Sequence, residues 1–438
     1  NMAFVTLRAR NDWSSTLPVD NNSYFYPAIE ASFILTELEA FKFTDAINFI
    51  KLRGSIAQVG KDAGPLEIDP QLEPTNLTGG GFKYGFTGPN PNLRPEMTTA
   101  HEIGFDARLF NNRVNAIFTY FTTQNEDQIV KSFRLSYATG FVLNTLNVGA
   151  FKTWGWEALI DGDIIKNPQG ITWNLGFNAS HGKSKVVYLP ENVTEYYNAY
   201  TWNSGNIRNG IMTGEPITTL TGRAFERNEE GQLLISPTTG LPLVSPVWSI
   251  IGDREPLLRF GIVSSLTYKG LRLSALFSGR HNATVVNGTK RLMLTQGTSW
   301  ESVTMREGEP VVFKGVVKDG MENTKTPTIN NIAVNYRTGV YAGGDENWLE
   351  TGVNYLRLQE VRLSYSVPKK IINPTKVISA LSLYVVGNDL FTWTNYSGID
   401  AVGNTLSAAA GGSGGEGYDV WSLPNPRGIT VGLSVTLN

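Results

Sequence analysis

The chain contains no cysteine, which excludes a disulfide framework, a thiol nucleophile and a lipid-anchoring cysteine. Charge is also scarce. Lys, Arg, Asp and Glu make up 17% of the 438 residues and nearly cancel, to a formal net charge of −2. A surface that binds nucleic acid is usually basic, so no nucleic-acid partner is expected. Histidine occurs three times, at His101, His181 and His281, far apart and without a partner at ligand or triad spacing. No catalytic residue, cofactor or metal site is therefore expected. Long apolar runs are missing as well. Although 41% of the residues are hydrophobic, no stretch approaches the roughly 18 that a membrane helix requires. A chain that crosses a membrane without one must do so as a closed β-barrel.

What the sequence does contain is alternation. From Gly428 to Asn438, Ile429, Val431, Leu433, Val435 and Leu437 fall on one parity, and Gly428, Thr430, Gly432, Ser434 and Thr436 on the other. Side chains on a strand switch faces at every residue, so the segment has one apolar and one small, polar face. The pattern returns in about twelve segments, each near the roughly 10 residues that a tilted membrane strand needs. Ile50, Leu52 and Ile56 oppose Lys51, Arg53 and Ser55; Ile103, Phe105, Ala107 and Leu109 oppose Glu102, Gly104, Asp106 and Arg108. Trp173, Leu175, Phe177 and Ala179 oppose Asn174, Gly176 and Asn178, and Leu271, Leu273, Ala275 and Phe277 oppose Arg272, Ser274 and Ser278, with Leu276 as an exception. From Tyr355 onwards the parity slips between Leu358 and Val361, which predicts a β-bulge near Gln359–Glu360. A charge facing lipid costs about 2–4 kcal/mol at mid-depth, so the charged face is expected to line a wet lumen.

The connections alternate too. Phe110–Arg113, Lys166–Gly170 and Lys269–Gly270 read as tight turns, and Pro368–Val377 as a short link. Between them run long polar stretches at Gly60–Glu96, Gln124–Asn147, Lys185–Glu255, Asn282–Glu350 and Asn395–Pro424; the two longest contain strand-like pieces at Gly231–Ile235 and Pro310–Val317. Outer-membrane barrels have short periplasmic turns and long extracellular loops, whereas connections in soluble folds are mostly short. Tyr24, Tyr26, Trp154, Trp156, Trp173, Tyr268 and Trp393 lie near proposed strand ends, where interfacial aromatic girdles form. The fold class expected is an all-β, antiparallel transmembrane β-barrel.

Several strings resemble the SusC/RagA family of TonB-dependent outer-membrane transporters of Bacteroidota. They are Arg10-Asn-Asp-Trp-Ser-Ser-Thr-Leu-Pro18 with Ser23-Tyr-Phe-Tyr-Pro27, Asn92-Leu-Arg-Pro-Glu96 leading to Glu102-Ile-Gly-Phe-Asp106, and Leu266-Thr-Tyr-Lys-Gly270. Further along come Asn354-Tyr-Leu-Arg-Leu-Gln-Glu-Val-Arg-Leu-Ser-Tyr365, the segment Val386–Asp400, and the terminal strand Pro426–Leu437. The resemblance implies a barrel of about 22 strands, of which residues 1–438 would supply the C-terminal half or so. The regulatory-like domain, TonB box and plug that precede the barrel in that family are not found here. Asn1 opens directly onto a strand, without a signal peptide, so the sequence is expected to be a piece of a longer one. Such barrels usually finish on an aromatic residue, whereas this sequence stops at Leu437–Asn438, so a missing residue or an altered assembly signal is expected.

Other motifs have simpler readings. Gly412-Ser-Gly-Gly-Glu-Gly417 matches the dinucleotide fingerprint letter by letter, but Tyr418–Pro424 follows instead of a helix that would hold a pyrophosphate. It reads as a flexible loop. Asn-x-Ser/Thr sequons such as Asn178 and Asn192 occur by chance, since Asn178 sits in a proposed wall strand. The acidic pairs Asp161/Asp163 and Asp345/Glu346 lack calcium-loop spacing. Loop aromatics offer weak candidates for substrate contact: Trp202, Trp300, Trp348 and Trp421, together with Trp248 and nearby Arg223, Arg227 and Asp345. Stacking rings with convergent polar groups would suit a sugar ring or a peptide; packing within the loops is the plainer role.

The resemblance implies active import across the outer membrane, energised through the TonB complex, with a SusD-like surface lipoprotein as lid. The cargo implied is an oligosaccharide or an oligopeptide, with membrane lipid around the wall. A passive porin, or an adhesin barrel, is the alternative; an enzyme would need a catalytic constellation that the sequence does not display.

Overall fold

The computed structural model describes residues 2–39, 46–133, 138, 140–167, 169–191, 193–200, 207–306, 312–317, 320–324, 344–372, 374, 377–402, 416–421 and 423–437. Twelve strands form one antiparallel wall in sequence order. They are β1 (Ala3–Trp13), β2 (Ser23–Ile34), β3 (Ile47–Lys61), β4 (Glu96–Leu109), β5 (Val114–Glu126) and β6 (Ala150–Lys166). They continue as β7 (Ile171–Tyr188), β8 (Leu258–Tyr268), β9 (Leu271–Asn287), β10 (Leu349–Ser366), β11 (Ile378–Thr394) and β12 (Gly428–Leu437). Among the described residues β1 and β12 do not pair with each other, so the wall is an arc with two free edges.

Alternation does set the faces. Phe105 pairs with Leu52 and Phe118, while Asp106 pairs with Lys51 and Ile117. Apolar residues such as Leu7, Ile29, Ile103, Ile160 and Leu273 stand exposed on the outer face, as a wall bathed in lipid requires. Leu276, the exception in its strand, pairs with Val263 and lies on the inner face. The parity slip in β10 is a bulge: Leu358 pairs with Phe277 and Glu360 with Leu276, leaving Gln359 unopposed. The neighbouring strand accommodates it between Asn388 and Phe391, where Asp389 adopts φ 50°.

Two expectations need correction. Several wall strands are longer than the sequence pattern suggested, reaching 18 residues in β7 and β10. Their outer halves carry polar residues yet stay paired, because the ladder continues above the apolar band. Tyr24 and Tyr26 do not join an outward girdle. They lie on the face of Glu30 rather than of Ile29, stacked at 6.1 Å, and the Tyr26 hydroxyl donates to Asp12 at 2.5 Å.

Connections sort cleanly between the two ends of the wall. At one end lie the links 35–46, 110–113, 167–170, 269–270 and 367–377. The tightest joins Tyr268 to Leu271 through Lys269 (φ 46°) and Gly270 (φ 88°), a left-handed pair that matches the twist of a two-residue hairpin. Phe110, Asn111 and Asn112 form a similar left-handed turn, so β4 ends at Leu109. At the other end lie 14–22, 62–95, 127–149, 189–257, 288–348 and 395–427.

Candidate functional site: lumen and loop rim

The inner face begins with a charge network. Asp106 of β4 accepts from Lys51 at 2.7 Å and Arg53 at 3.2 Å, both on β3, and Arg53 also donates to Thr119 of β5. One cross-strand row can be followed through Gly104, Thr119, Glu157, Ser180, Arg259, Arg280 and Tyr355 to Thr394. Two arginines thus face each other across β8 and β9. Like charges directly opposite are destabilising, and here a carboxylate sits between them: Glu416, from the loop 395–427, bonds Arg280 and, at 3.2 Å, Arg259. Arg254 donates to the Glu416 carbonyl at 2.8 Å. Burial alone would raise the Glu416 pKa, but Arg280, Arg259 and Arg254 outweigh it and hold the carboxyl below its usual value. One step further round, Arg357 of β10 bonds Asp400 at 2.6 Å, with Asp389 at 3.8 Å.

Above the lumen the loops fold together. Within 189–257, Tyr196–Tyr200, Arg208–Ile211, Thr219–Phe225 and Val244–Asp253 form a four-stranded sheet. Ile207, Leu220, Val286, Leu294, Trp348, Tyr418 and Val420 make one buried core from three different loops and the top of β9. A second core joins Phe133 and Val148 of 127–149 to Phe151, Val186, Leu189, Tyr196 and Ile211. Tyr418–Asp419 adds to the upper end of β9 as a short parallel strand, opposite Val286–Asn287. Tyr396 donates to Asp419 at 2.8 Å; burial, then that carboxylate, pushes its phenol pKa well up. The piece Gly231–Ile235, expected as a strand, contributes only single bridges: Leu233 to Arg227, Ile235 to Pro242, and Leu234 to Val316 of the next loop. Of its expected counterpart Pro310–Val317, Pro310 and Val311 lie outside the described residues.

The aromatic candidates separate. Trp202 lies outside the described residues. Trp348 is 2% exposed and packs in the three-loop core, so its ring offers no face to a ligand. Trp248 is covered by the Arg208 guanidinium, 3.4 Å from its ring centre, with Tyr197 on the same cation at 4.3 Å. Trp300 (80% exposed) and Trp421 (49%) present their rings to solvent. The polar candidates do meet: Asp345 accepts from the Arg223 amide at 2.8 Å, and Glu346 holds Arg227 in a two-bond fork at 3.1 and 2.6 Å. Sequence reading missed Arg259, Arg280, Arg357, Asp400 and Glu416. Glu416 was hidden inside the glycine-rich string, and the arginines sit on ordinary inward parity.

An antiparallel barrel wall is also what the comparisons with known proteins point to. The family model for the TonB dependent receptor-like β-barrel matches residues 4–226, just over half of the 438 residues. The chain belongs to this family. The TonB-dependent receptor P26 of Formosa agariphila is 27% identical over 468 residues, covering 99% of this chain and 44% of that protein. The TonB-dependent receptor P3 of the same organism is 24% identical, covering 98% and 43%. The chain therefore spans less than half the length of these curated relatives. Among solved structures, the RagAB peptide importer superposes with a TM-score of 0.75 in its closed-closed state and 0.72 in its open-open state, at 19% identity. Each superposition covers 99% of this chain, and 46% and 45% of the other. This TonB-dependent receptor chain thus supplies wall strands of an outer-membrane β-barrel, with the fold of the RagAB importer.

Proposed function

We propose that this chain is the C-terminal portion of the barrel of an active importer, with the loop-bearing end outside the cell. A plug in the missing portion of the barrel would be displaced by work delivered through TonB. A SusD-like lipoprotein would lie on the rim, and an oligomeric nutrient, an oligosaccharide or an oligopeptide, would pass along the charged inner face. The observation that carries this reading is the rim itself. Three long loops share one buried core, which gives a lid an ordered surface to rest on, whereas structureless loops of such length are uncommon. Family membership and the fold of the RagAB importer support the same direction. Exposed Trp300 and Trp421 are the rim residues proposed to touch cargo, since Trp348 and Trp248 are already engaged.

The test is uptake by cells carrying the full-length protein. Loss of TonB, or of the proton gradient, should abolish uptake and leave surface binding intact. Uptake at full rate without TonB would instead identify a passive porin.

A further inference from the structure

The outer face of the wall carries one patch that does not match lipid. On β7 the outward residues are Ile171, Trp173, Leu175, Phe177 and Ala179, then His181, Lys183 and Lys185. Lys185 pairs directly with Lys152 of β6, and Lys183 pairs with Trp154. The three lysines are exposed. Among the described residues their side chains make no hydrogen bond or ion pair. Glu126, the nearby carboxylate on this face, accepts from Gln124 instead, at 2.8 Å. Like charges directly opposite on a sheet repel, so the wall holds three cations on a rigid base against one nearby carboxylate, which none of them pairs with. Inside, at the same level, Phe151 and Val186 are buried in the rim core, so these lysines cannot turn inward.

Height decides the ligand. Phe105, Phe118, Trp156 and His181 form a diagonal run of rings on the outer face, with centroids 6.0–6.4 Å apart. From Trp173 to His181 the strand rises about 26 Å, or about 20 Å along the membrane normal at a tilt near 40°. That nearly fills an apolar band of about 25 Å. Lys183 and Lys185 come next, and so stand at headgroup level at the loop-bearing end. We propose that Lys152, Lys183 and Lys185 bind the phosphate of a phosphorylated glycolipid in the outer leaflet. This rests on placing the loop-bearing end outside the cell.

The test uses the full-length protein in nanodiscs containing phosphorylated or enzymatically dephosphorylated lipid A. The variant combines Lys152→Gln, Lys183→Gln and Lys185→Gln, and its folding is checked by the heat-dependent gel shift of intact barrels. Phosphorylated lipid A should be held roughly 100-fold more weakly by the variant. The dephosphorylated form should bind both proteins equally weakly, and millimolar inorganic phosphate should not displace the glycolipid. Wild-type retention by the folded variant, or equal binding of both lipids by the wild type, would overturn the proposal. Displacement by inorganic phosphate would do so as well, by making the patch a free-anion site. Orientation is read separately from Glu230→Cys, on an exposed turn of the rim. Labelling of intact cells by an impermeant maleimide places the rim outside, whereas failure there refutes the orientation and the outer-leaflet assignment together.

Discussion

Arg259 and Arg280 are direct cross-strand partners on the inner face of β8 and β9, and the Glu416 carboxylate bonds both of them. Arg280 is only 6% exposed, so the pair depends on an anion brought in by a loop that begins far away in sequence.

Replacing Glu416 by Gln should loosen this clasp without unfolding the wall. A buried guanidinium that loses its carboxylate costs about 1–3 kcal/mol. The Val286 amide, which donates to the Gly417 carbonyl at 2.8 Å, reports on it directly. Its hydrogen exchange should accelerate roughly 5- to 100-fold, while amides in the middle of β8 keep their protection. Unchanged exchange at Val286 would make the clasp energetically idle.

Acid should open the same clasp. The folded-state pKa of Glu416 lies below the ordinary value of 4.5, so its contribution is fully present above that value and is lost as pH falls through the depressed one. A second carboxylate, Glu255, pairs with Arg259. Exchange at Val286 should therefore stay slow from neutral pH down past 4.5 and rise only below it, with Glu416→Gln insensitive over that span. Opening that begins near neutral pH would point to another group.

The face assignment is open to chemistry in the membrane. Cysteine placed at Asp106, which salt-bridges Lys51 and Arg53, should react with a water-soluble maleimide; cysteine at Phe105 should not. These 438 residues contain no cysteine to interfere. The reverse result would shift the register by one residue.

Deletion of Thr304–Pro327 should weaken retention of a lipoprotein lid without preventing insertion of the barrel, because no wall strand is touched. Val316 in this stretch pairs with Leu234 of the neighbouring loop, so the deletion also frees one contact between the two largest loops. Co-purification of the lid at wild-type levels would remove this loop from the surface proposed to hold it.

The wall was largely legible because a period of two is written locally. Even the Gln359 bulge announced itself through the change of parity between Leu358 and Val361. Tyr24 and Tyr26 misled because position near a strand end says nothing about the face; only the parity shared with Glu30 does. The clasp was illegible for a different reason. Glu416 reaches Arg280 across a sequence separation of 136 residues, and no local pattern records where a long loop returns. Trp348 could not be told from Trp300 either, since both are single tryptophans in polar stretches. Burial of the first follows from Ile207, Val286 and Tyr418 converging on it from other loops.

The two free edges of the arc have a practical consequence. β1 and β12 each present a row of backbone donors and acceptors without a partner strand among the described residues, over 11 and 10 residues. Such a row is a template for another strand. The two edges also run in opposite directions, because successive strands alternate along a path of twelve. The free edge of one molecule can therefore zip antiparallel onto the opposite edge of another. A polypeptide of these twelve strands alone would therefore expose both templates, and quantities measured on it would depend on its concentration.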